Sequence, residues 1–570
     1  MRSPGRILLV SALGVVTGGT VGLAVVGFAD VVAWANALLP ISPATRAGFA
    51  ERPGLLALLT VLVPVAGGLA VGQILRLGLA GGAALGPADA ILAVQGREPA
   101  PPLRAGFVTS LAALVSLGMG ASVGLYGPLV HLGATIGSIS AHLGRRLAGL
   151  RDIAMACGAA AAIAAAFNAP IAGLIFAHEV VLRHYSLRAF APVAVAAVTG
   201  YLISSAVLVR PALFLVAFDG VGHGYEFVLF AIEGLLAAFL AVAYMTAIFA
   251  ATRIAERSPL APWLRPAFAG LVLGLVALAV PGVLGVGKDT LASVIGAESL
   301  SAGGLAVLLV AKLAMTALCL GFGFVGGVFS PALMIGVLGG TLYGLGVAQL
   351  LPLDLTGVLP YAICGMMAVT SPVIGAPLST ILIVFELTHS YDLAIAATVA
   401  VVFSNLVANH VFGRSYFDVQ LRERGFNLRE GRDRAVLGRR KVARHVSAEY
   451  VALGPEQPVQ TLIARLSASG YAEAFLTDGA GRFRGVVRLQ DAVTRPEGMR
   501  LRDLVAPDLV IFGERTTLLE AMERMRGFTG GAVPLVADDG RLLGVVPEGA
   551  VIGAYLDEIR SLRQEENAGA

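Results

Sequence analysis

Charged residues are scarce in this chain of 570 residues, and that scarcity excludes an ordinary soluble protein. Asp, Glu, Lys and Arg make up only 14% of the sequence, against 57% hydrophobic residues. The mean hydropathy is +0.81. Soluble domains carry about 25% charged residues. We therefore interpret the chain as a membrane protein whose main solvent is the lipid bilayer.

Cysteine is also scarce, which excludes a disulfide framework. Only Cys157, Cys319 and Cys364 are present, all in apolar segments and without a CxxC pair or a His/Cys cluster. Such cysteines are typically buried free thiols. We expect no metal site and no cofactor.

Long apolar runs are what the sequence does contain. Four examples are Ile7–Leu39, Leu55–Leu75, Phe227–Ala250 and Leu305–Leu320. Each run is long enough to cross a hydrocarbon layer of about 30 Å. The first run follows MRSPGR without a small-residue cleavage site, so we expect it to be retained as the first membrane helix.

A run of arginines follows the last apolar segment, between Arg422 and Arg444. The positive-inside rule places such a run in the cytoplasm. We therefore predict a basic cytoplasmic linker at residues 426–445, in a protein of a bacterial-type inner membrane. A nucleic-acid patch is the competing interpretation, but aromatic residues are not interleaved and the neighbouring membrane segment already explains the charges.

The chain after the linker contains an internal repeat. LTDGAGRFRGVV at 476–487 parallels LVADDGRLLGVV at 535–546, and each copy has a turn between two short strands beside a segment with helical periodicity. This pattern predicts a βαββα unit that occurs twice. We assign residues 446–570 to a cytoplasmic α/β domain pair.

The membrane part contains a second repeat, at an offset of about 205 residues. NAPIAGLIFAHE at 168–179 parallels GAPLSTILIVFE at 375–386, and GLYGPLVHLG at 124–133 parallels GVFSPALMIG at 327–336. We divide residues 1–425 into related halves, at about 5–210 and 224–425. Interrupted apolar segments at matching positions indicate a transport site between the halves.

Helices that begin inside the membrane explain how such a site would bind an anion. Their first amide N–H groups have no partner in their own helix, and the positive end of the helix dipole favours negative charge. Pro128 and Pro331 suit a first helical turn, and the preceding glycines let the backbone approach an ion. The sequence therefore predicts chloride or a similar small anion as the ligand.

These motifs resemble the CLC family of chloride channels and transporters. The GLYGP stretch is similar to its pore motif, usually G-[KR]-E-G-P; GGVFSP matches G-x-F-x-P, and the two NAP/GAP segments match further motifs. The resemblance covers about residues 5–425 and implies an all-α polytopic membrane domain of inverted repeats, a homodimer, and one anion path per subunit. The C-terminal repeat resembles a tandem pair of cystathionine-β-synthase (CBS) domains, which many family members carry.

The departures from the family pattern concern its polar side chains. The gating glutamate falls on Tyr126, and the internal proton glutamate falls on Val180. The central tyrosine falls on Phe417, with Tyr416 one position away. The serine of the G-S-G-I-P motif has no counterpart near residues 83–87, which read AALGP.

We therefore predict passive anion conduction without proton coupling. The alternative is a proton-coupled chloride antiporter with a non-standard proton route. An enzyme is excluded because GFGFVG at 321–326 follows an apolar helix and no acidic residue follows it at the required spacing. The predicted gate consists of Tyr126 and Phe417. The predicted anion-binding residues are Gly124, Leu125, Tyr126, Gly127, Gly327, Val328, Phe329, Tyr416 and Phe417, and Val180 marks the lost proton relay.

Several single residues permit two interpretations. Tyr126 either plugs the pore or packs as an ordinary amphipathic aromatic. Lys312, a cation within an apolar segment, is a functional candidate, a snorkelling side chain or part of a structural pair. His178 and His131 are core histidines or substitute proton relays, with the core role favoured. Glu179 and Glu386 occupy equivalent repeat positions, which favours a shared structural role such as helix capping.

Nucleotide binding by the C-terminal pair is expected to be weak or absent. The resemblance implies that ribose recognition uses an Asp three residues after a Ser or Thr at the end of the last strand. The first copy has Asp491 but Arg488 in place of Ser or Thr, and the second has Pro547 and Ala550.

Overall fold

The computed structural model describes residues 4–49, 51–79, 84–95, 102–142, 150–185, 187–209, 218, 220–295, 301–427, 432–496, 498–506 and 509–567. The chain divides into two compact units, one extending to Leu421 and the other beginning at Arg422. Part of the expected G-S-G-I-P counterpart, Ala83, lies outside the described residues, as do residues 428–431 of the predicted linker.

The first unit is helical. Its helices are α1 (Pro4–Leu38), α2 (Pro43–Ala47), α3 (Pro53–Gly78), α4 (Pro87–Gln95), α5 (Leu103–Gly118), α6 (Tyr126–His142), α7 (Arg151–Phe167), α8 (Pro170–Phe176), α9 (Leu187–Leu202), α10 (Glu226–Arg257), α11 (Arg265–Ala279), α12 (Lys288–Ile295), α13 (Ala302–Gly321), α14 (Phe329–Leu350), α15 (Leu359–Ile374), α16 (Pro377–Thr388), α17 (Tyr391–Val411) and α18 (Tyr416–Glu423). A π-helical turn, Ala177–Leu182, continues α8.

Eight helical segments among the described residues are long and apolar enough to span a bilayer. The chain is therefore a multi-pass membrane protein, as its composition predicts. The three cysteines are buried free thiols, which confirms that expectation.

Glycines allow equivalent helices of the two halves to pack backbone against backbone. A Cβ atom at Gly133 of α6 would lie 2.3 Å from the carbonyl oxygen of Gly158 in α7. A Cβ atom at Gly336 of α14 would lie 2.5 Å from the carbonyl oxygen of Gly365 in α15. Small residues at such contacts let membrane helices approach closely, so the repeat seen in the sequence is also a repeat in packing.

The two halves meet at the starts of α6 and α14. The amide of Gly124 donates to the carbonyl of Gly327, and the amide of Gly327 donates to the carbonyl of Gly124, each at 2.7 Å. The two segments run antiparallel at this bridge. This orientation is the one expected of inverted repeats.

The second unit contains two similar α/β copies. Its elements are α19 (Arg432–Leu437), β1 (Ala452–Leu453), α20 (Val459–Ser469), β2 (Glu473–Thr477), β3 (Phe483–Arg488), α21 (Leu489–Ala492), β4 (Phe512–Gly513), α22 (Leu518–Arg524), β5 (Ala532–Val536), β6 (Leu542–Pro547) and α23 (Glu548–Asn567). In each copy the first strand pairs parallel with the second, and the second pairs antiparallel with the third. The predicted βαββα order is confirmed.

The predicted linker differs from the structure at its C-terminal end. Leu437 and Val442 are buried in one hydrophobic cluster with Phe512, Leu518 and Leu535 of the second copy. These linker residues therefore form part of the folded α/β unit. Leu437 and Val442 lie among arginines in the sequence, so the stretch is interpreted as a charged linker.

Candidate anion pathway

Two long helices begin at the meeting point of the repeats. Helix α6 begins at Tyr126, two residues after the bridging Gly124, and α14 begins at Phe329, two residues after the bridging Gly327. The first amides of a helix cannot bond within that helix. The two starts therefore direct amide N–H groups and positive dipole ends into one region.

Three aromatic rings pack against one another at the starts of α6 and α14. The ring of Tyr126 stacks on Phe167, with centroids 4.0 Å apart, and meets Phe329 edge-on at 5.2 Å. The Phe167 and Phe329 centroids are also 5.2 Å apart. Tyr126 is 4% exposed, so its ring is held inside this aromatic cluster. Phe167 was missed by the sequence analysis, although it directly precedes the NAP motif.

Some predicted anion ligands already have partners. The amides of Gly124 and Gly327 bond each other's carbonyls, and the amide of Leu125 donates to Ser330 Oγ at 3.0 Å. Those three residues therefore position the two helix starts. The remaining predicted backbone N–H donors lie at the helix starts. They are the amides of Tyr126 and Gly127 at the start of α6, and those of Val328 and Phe329 at the start of α14.

A buried tyrosine links α10 to the start of α14. The Tyr244 hydroxyl donates to the carbonyl of Val328 at 3.1 Å, and Tyr244 is fully buried. The ring centroid of Tyr416 is 5.1 Å from that of Phe249, which also lies on α10. Phe417 contacts the ring of Tyr416 at 5.9 Å. Helix α10 thus contacts Val328 through Tyr244 and Tyr416 through Phe249, and sequence reasoning missed Tyr244.

Helix α4 begins beside the same region. A Cβ atom at Gly127 would lie 3.8 Å from Pro87, the first residue of α4. The amide of Gly86 donates to Asp89 Oδ2 at 2.7 Å. The Asp89 carboxylate therefore accepts the hydrogen bond of the Gly86 amide at this helix start. The family motif has a serine in this segment.

Glu179 and Glu386 cap each other's repeat. Glu179 accepts hydrogen bonds from the amides of Leu378 and Ser379 at 2.9 Å each, at the start of α16. Glu386 accepts from the amides of Ile171 and Ala172, at 2.9 and 2.7 Å, at the start of α8. The expected structural role of these two carboxylates is confirmed, since each satisfies helix-start amides of the other half.

The predicted proton relay position has no ionisable side chain. Val180 is buried in the π-helical turn, and its carbonyl accepts from Arg183 Nε at 3.3 Å. Arg183 in turn pairs with Asp418 at 2.6 Å, an ion pair that sequence reasoning did not predict. The pair ties the end of this turn to α18.

His178, His131 and Lys312 differ in how many hydrogen-bond partners their side-chain nitrogens have. His178 Nδ1 lies 3.0 Å from the carbonyl of Leu174, while its Nε2 has no partner. Both ring nitrogens of His131 lack partners among the described residues. Lys312 Nζ donates to the carbonyls of Val283 and Gly285, at 3.1 and 2.8 Å, and is fully buried. Lys312 therefore has a structural bonding role and does not snorkel.

A cavity of about 620 Å³ opens beside Leu125. Arg46 is the only charged residue among its described lining residues. Its guanidinium is held by the carbonyl of Pro40 and by Thr60 Oγ1, at 3.2 and 3.0 Å. Lys312 Nζ lies 3.7 Å from the Cβ position of Gly287, another lining residue. The Arg46 guanidinium therefore gives this wall positive charge, which suits an anion.

Comparison with known proteins places this geometry in a family. The profile of the voltage gated chloride channel family matches residues 67–409, and the CBS domain profile matches residues 501–557. A ClcB-like chloride channel protein of Ralstonia nicotianae is 34% identical over 360 residues, which cover 62% of this chain and 83% of the relative.

Solved structures show the same fold. A slow cyanobacterial Cl⁻/H⁺ antiporter matches with a TM-score of 0.64 and 22% identity, covering 73% of this chain and 97% of its own. A eukaryotic CLC transporter matches with a TM-score of 0.64 and 19% identity, covering 96% and 99% of the two chains. At such identities a likeness establishes the fold alone. With the family profile and the ClcB-like relative, the conclusion is that this chain belongs to the CLC family of voltage gated chloride channels and carries a C-terminal CBS domain.

Proposed function

We propose that the protein conducts chloride or a similar monovalent anion passively, along one path per subunit. In this proposal the anion binds between Tyr126, the amides of Val328 and Phe329, and the Tyr416/Phe417 pair. Tyr126 is the gate, assisted by Phe417, and protons are not exchanged. The observation that carries the proposal is a non-carboxylate side chain, Tyr126, packed across the facing starts of α6 and α14.

The chemistry of the gate supports passive flux. A carboxylate at this position would compete with the anion when ionised and move away when protonated. The phenol of a tyrosine has an ordinary pKa of about 10, so it does not alternate between charge states near neutral pH. Tyr126 therefore acts by its size and by its hydroxyl group, and flux through the path requires displacement of the ring from Phe167 and Phe329.

The cavity beside Leu125 supports anion access. Its wall contains the Arg46 guanidinium. Positive charge in a low-dielectric wall raises the local concentration of anions. We propose this cavity as one mouth of the path. Helix-start amides then bind the ion without a fixed cation, so the ion can also leave.

Purified protein in liposomes tests the proposal directly. Chloride efflux is followed with an electrode while internal pH is followed with a trapped dye, and valinomycin supplies the compensating potassium current. Passive conduction predicts chloride efflux with no chloride-driven proton uptake. Proton uptake against its gradient, in a fixed ratio to chloride, would overturn it. Empty liposomes and a protonophore are the controls.

Proton-coupled exchange is the second candidate, and His178 is the observation that favours it. This residue lies two positions before Val180, is buried, and has a ring nitrogen, Nε2, without a partner. A histidine with a free ring nitrogen can carry a proton. If the flux assay shows coupling, His178→Gln should abolish it, whereas Tyr185→Phe, which alters the ring stacked on His178, should not.

We also propose the predicted assembly and orientation. The protein is a homodimer in a bacterial-type inner membrane, with the transport domain at residues 1–425 and the CBS pair at residues 446–570 in the cytoplasm. The arginines between residues 422 and 444 support this orientation. Protease added to sealed inside-out vesicles should release the C-terminal unit, and protease added to right-side-out vesicles should not. Cross-linking in native membranes should give a species of twice the monomer mass.

A further inference from the structure

The acidic side chain of Glu233 lies deep in the membrane domain, away from the starts of α6 and α14. Glu233 is on α10, a helix long and apolar enough to span the bilayer. Glu233 is only 2% exposed. Neither carboxyl oxygen has a hydrogen-bond partner among the described residues. Intramembrane ionisable residues are rare and commonly functional.

Two glycines make room for this carboxyl group. Cβ atoms at Gly340 of α14 and Gly365 of α15 would lie 2.8 and 2.7 Å from Glu233 Oε1. A Cβ atom at Gly340 would also lie 2.2 Å from the carbonyl oxygen of Tyr361. Any larger residue at either position would collide with the carboxyl group. The carboxyl is therefore inserted where α14 and α15 pack backbone against backbone.

A neighbouring glutamate on the same helix shows the contrast. Glu226 lies two turns earlier and is also buried. It accepts hydrogen bonds from the Tyr361 hydroxyl at 3.0 Å, from the Thr356 amide at 3.3 Å and from the Thr356 hydroxyl. The carboxyl oxygens of Glu226 are therefore satisfied by several donors. Glu233 has no side-chain donor among the described residues, and an isolated carboxylate in an apolar interior is so unfavourable that such a group takes up a proton.

In the part of the chain that the structure describes, no neighbouring cation compensates a negative charge on Glu233. Helix α13 contributes Lys312, but its ammonium is bonded to two carbonyls elsewhere. Helix α17 faces α10 with Ala400 at Gly234, next to Glu233. The titratable groups on these elements, besides Glu233 itself, are Glu226, Tyr244, Arg253, Glu256 and Arg257 on α10, Tyr343 on α14, Tyr361 and Cys364 on α15, Lys312 and Cys319 on α13, and Tyr391, Asp392 and His410 towards the ends of α17.

We propose that Glu233 is a proton-binding site that controls the packing of α14 against α15. In the structure described, the neutral acid fits between Gly340 and Gly365. Loss of the proton to water leaves a carboxylate between the two helices and loosens them. Because α14 begins at Phe329, this loosening weakens the contact of Phe329 with Tyr126 and raises anion flux. The effect on flux rests on the proposed function; the proton site itself does not.

Infrared difference spectroscopy tests the site without any transport measurement. The wild-type protein in lipid should show the carbonyl stretch of a protonated carboxylic acid at neutral pH, and Glu233→Gln should lose that band. Glu226→Gln is the matched control, because it changes a buried glutamate of the same helix that has donors. An identical band in wild type and Glu233→Gln, or no band in wild type, would overturn the proposal.

Flux measured from about pH 5 to about pH 9 tests the consequence. Wild-type chloride efflux should rise with pH by on the order of fivefold, the lower end of typical coupling between sites. Glu233→Gln and Glu233→Leu should give the same low flux at every pH, and Glu226→Gln should follow the wild type. If Glu233→Gln does not fold, the flux of Glu233→Leu is compared with that of the wild type instead.

The two measurements separate the possible failures. A wild-type protein with the infrared band but no chloride flux at any pH would refute the proposed function and keep the proton site. The infrared band with equal pH profiles in wild type and Glu233→Gln would refute the control of flux by Glu233. Loss of the band and of the pH response in Glu233→Gln supports both steps.

Discussion

If Tyr126 is the gate that we propose, replacing it with alanine should raise anion flux, because its ring packs between the starts of α6 and α14. The ring is 4% exposed and contacts Phe167 and Phe329 at centroid distances of 4.0 and 5.2 Å. In the proposed function, an anion that passes from one side to the other must displace this ring. Alanine removes the ring and leaves the backbone amide of position 126 in place.

The expected size of the effect follows from those two contacts. An aromatic pair contributes about 0.5–1.5 kcal/mol beyond its buried area, so two contacts amount to about 1–3 kcal/mol. If opening requires both to break, their removal lowers the barrier by that amount, and flux rises by about 5- to 150-fold. The same change removes a buried aromatic side chain, which destabilises a protein by about 3–5 kcal/mol, so folding must be checked by thermal melting.

Chloride efflux from liposomes, normalised to the amount of monomer inserted, is the assay. Tyr126→Phe is the first control, because it keeps both ring contacts and should leave the gate closed. Tyr185→Ala is the second, because Tyr185 is 60% exposed and stacks on His178, outside the cluster. Unchanged flux in a folded Tyr126→Ala protein would refute the gate, as would an equal increase in Tyr185→Ala.

Three further predictions concern coupling, capping and nucleotides. Tyr126→Glu should not create chloride-driven proton uptake in the liposome assay, because Val180 still lacks an ionisable group; coupling in that single variant would show another proton route. Glu386→Ala should destabilise the membrane domain by about 0.5–2 kcal/mol, as loss of a helix cap does, because the amides of Ile171 and Ala172 lose their acceptor; thermal melting in detergent measures it, and unchanged melting would contradict the capping role. Adenine nucleotides at millimolar concentration should leave the melting temperature of the C-terminal unit unchanged, whereas a selective ligand would raise it.

Much of the architecture could be predicted from the sequence because it depends on patterns along the chain. Apolar run length determines which segments can span a bilayer, and the repeat of NAP and GAP motifs reveals the two halves. The matching positions of Glu179 and Glu386 already indicated a shared structural role. The structure confirms that role, with each carboxylate on the amides of the opposite half. The βαββα repeat was readable for a similar reason, since turn residues and strand periodicity are local.

Contacts between distant segments required the tertiary structure. Phe167 and Tyr244 look like ordinary apolar and aromatic residues in the sequence, and only the approach of α7 and α10 to the helix starts brings them to Tyr126 and Val328. Glu233 is visible as an acid in an apolar run, but its lack of partners depends on which groups α14 and α15 bring near it. Leu437 lies in an arginine-rich run, yet packs in the core of the second α/β copy. Local pattern determines which helices and strands can form, whereas the partners of a side chain depend on chain segments hundreds of residues away, and no period or motif in the sequence records those distances.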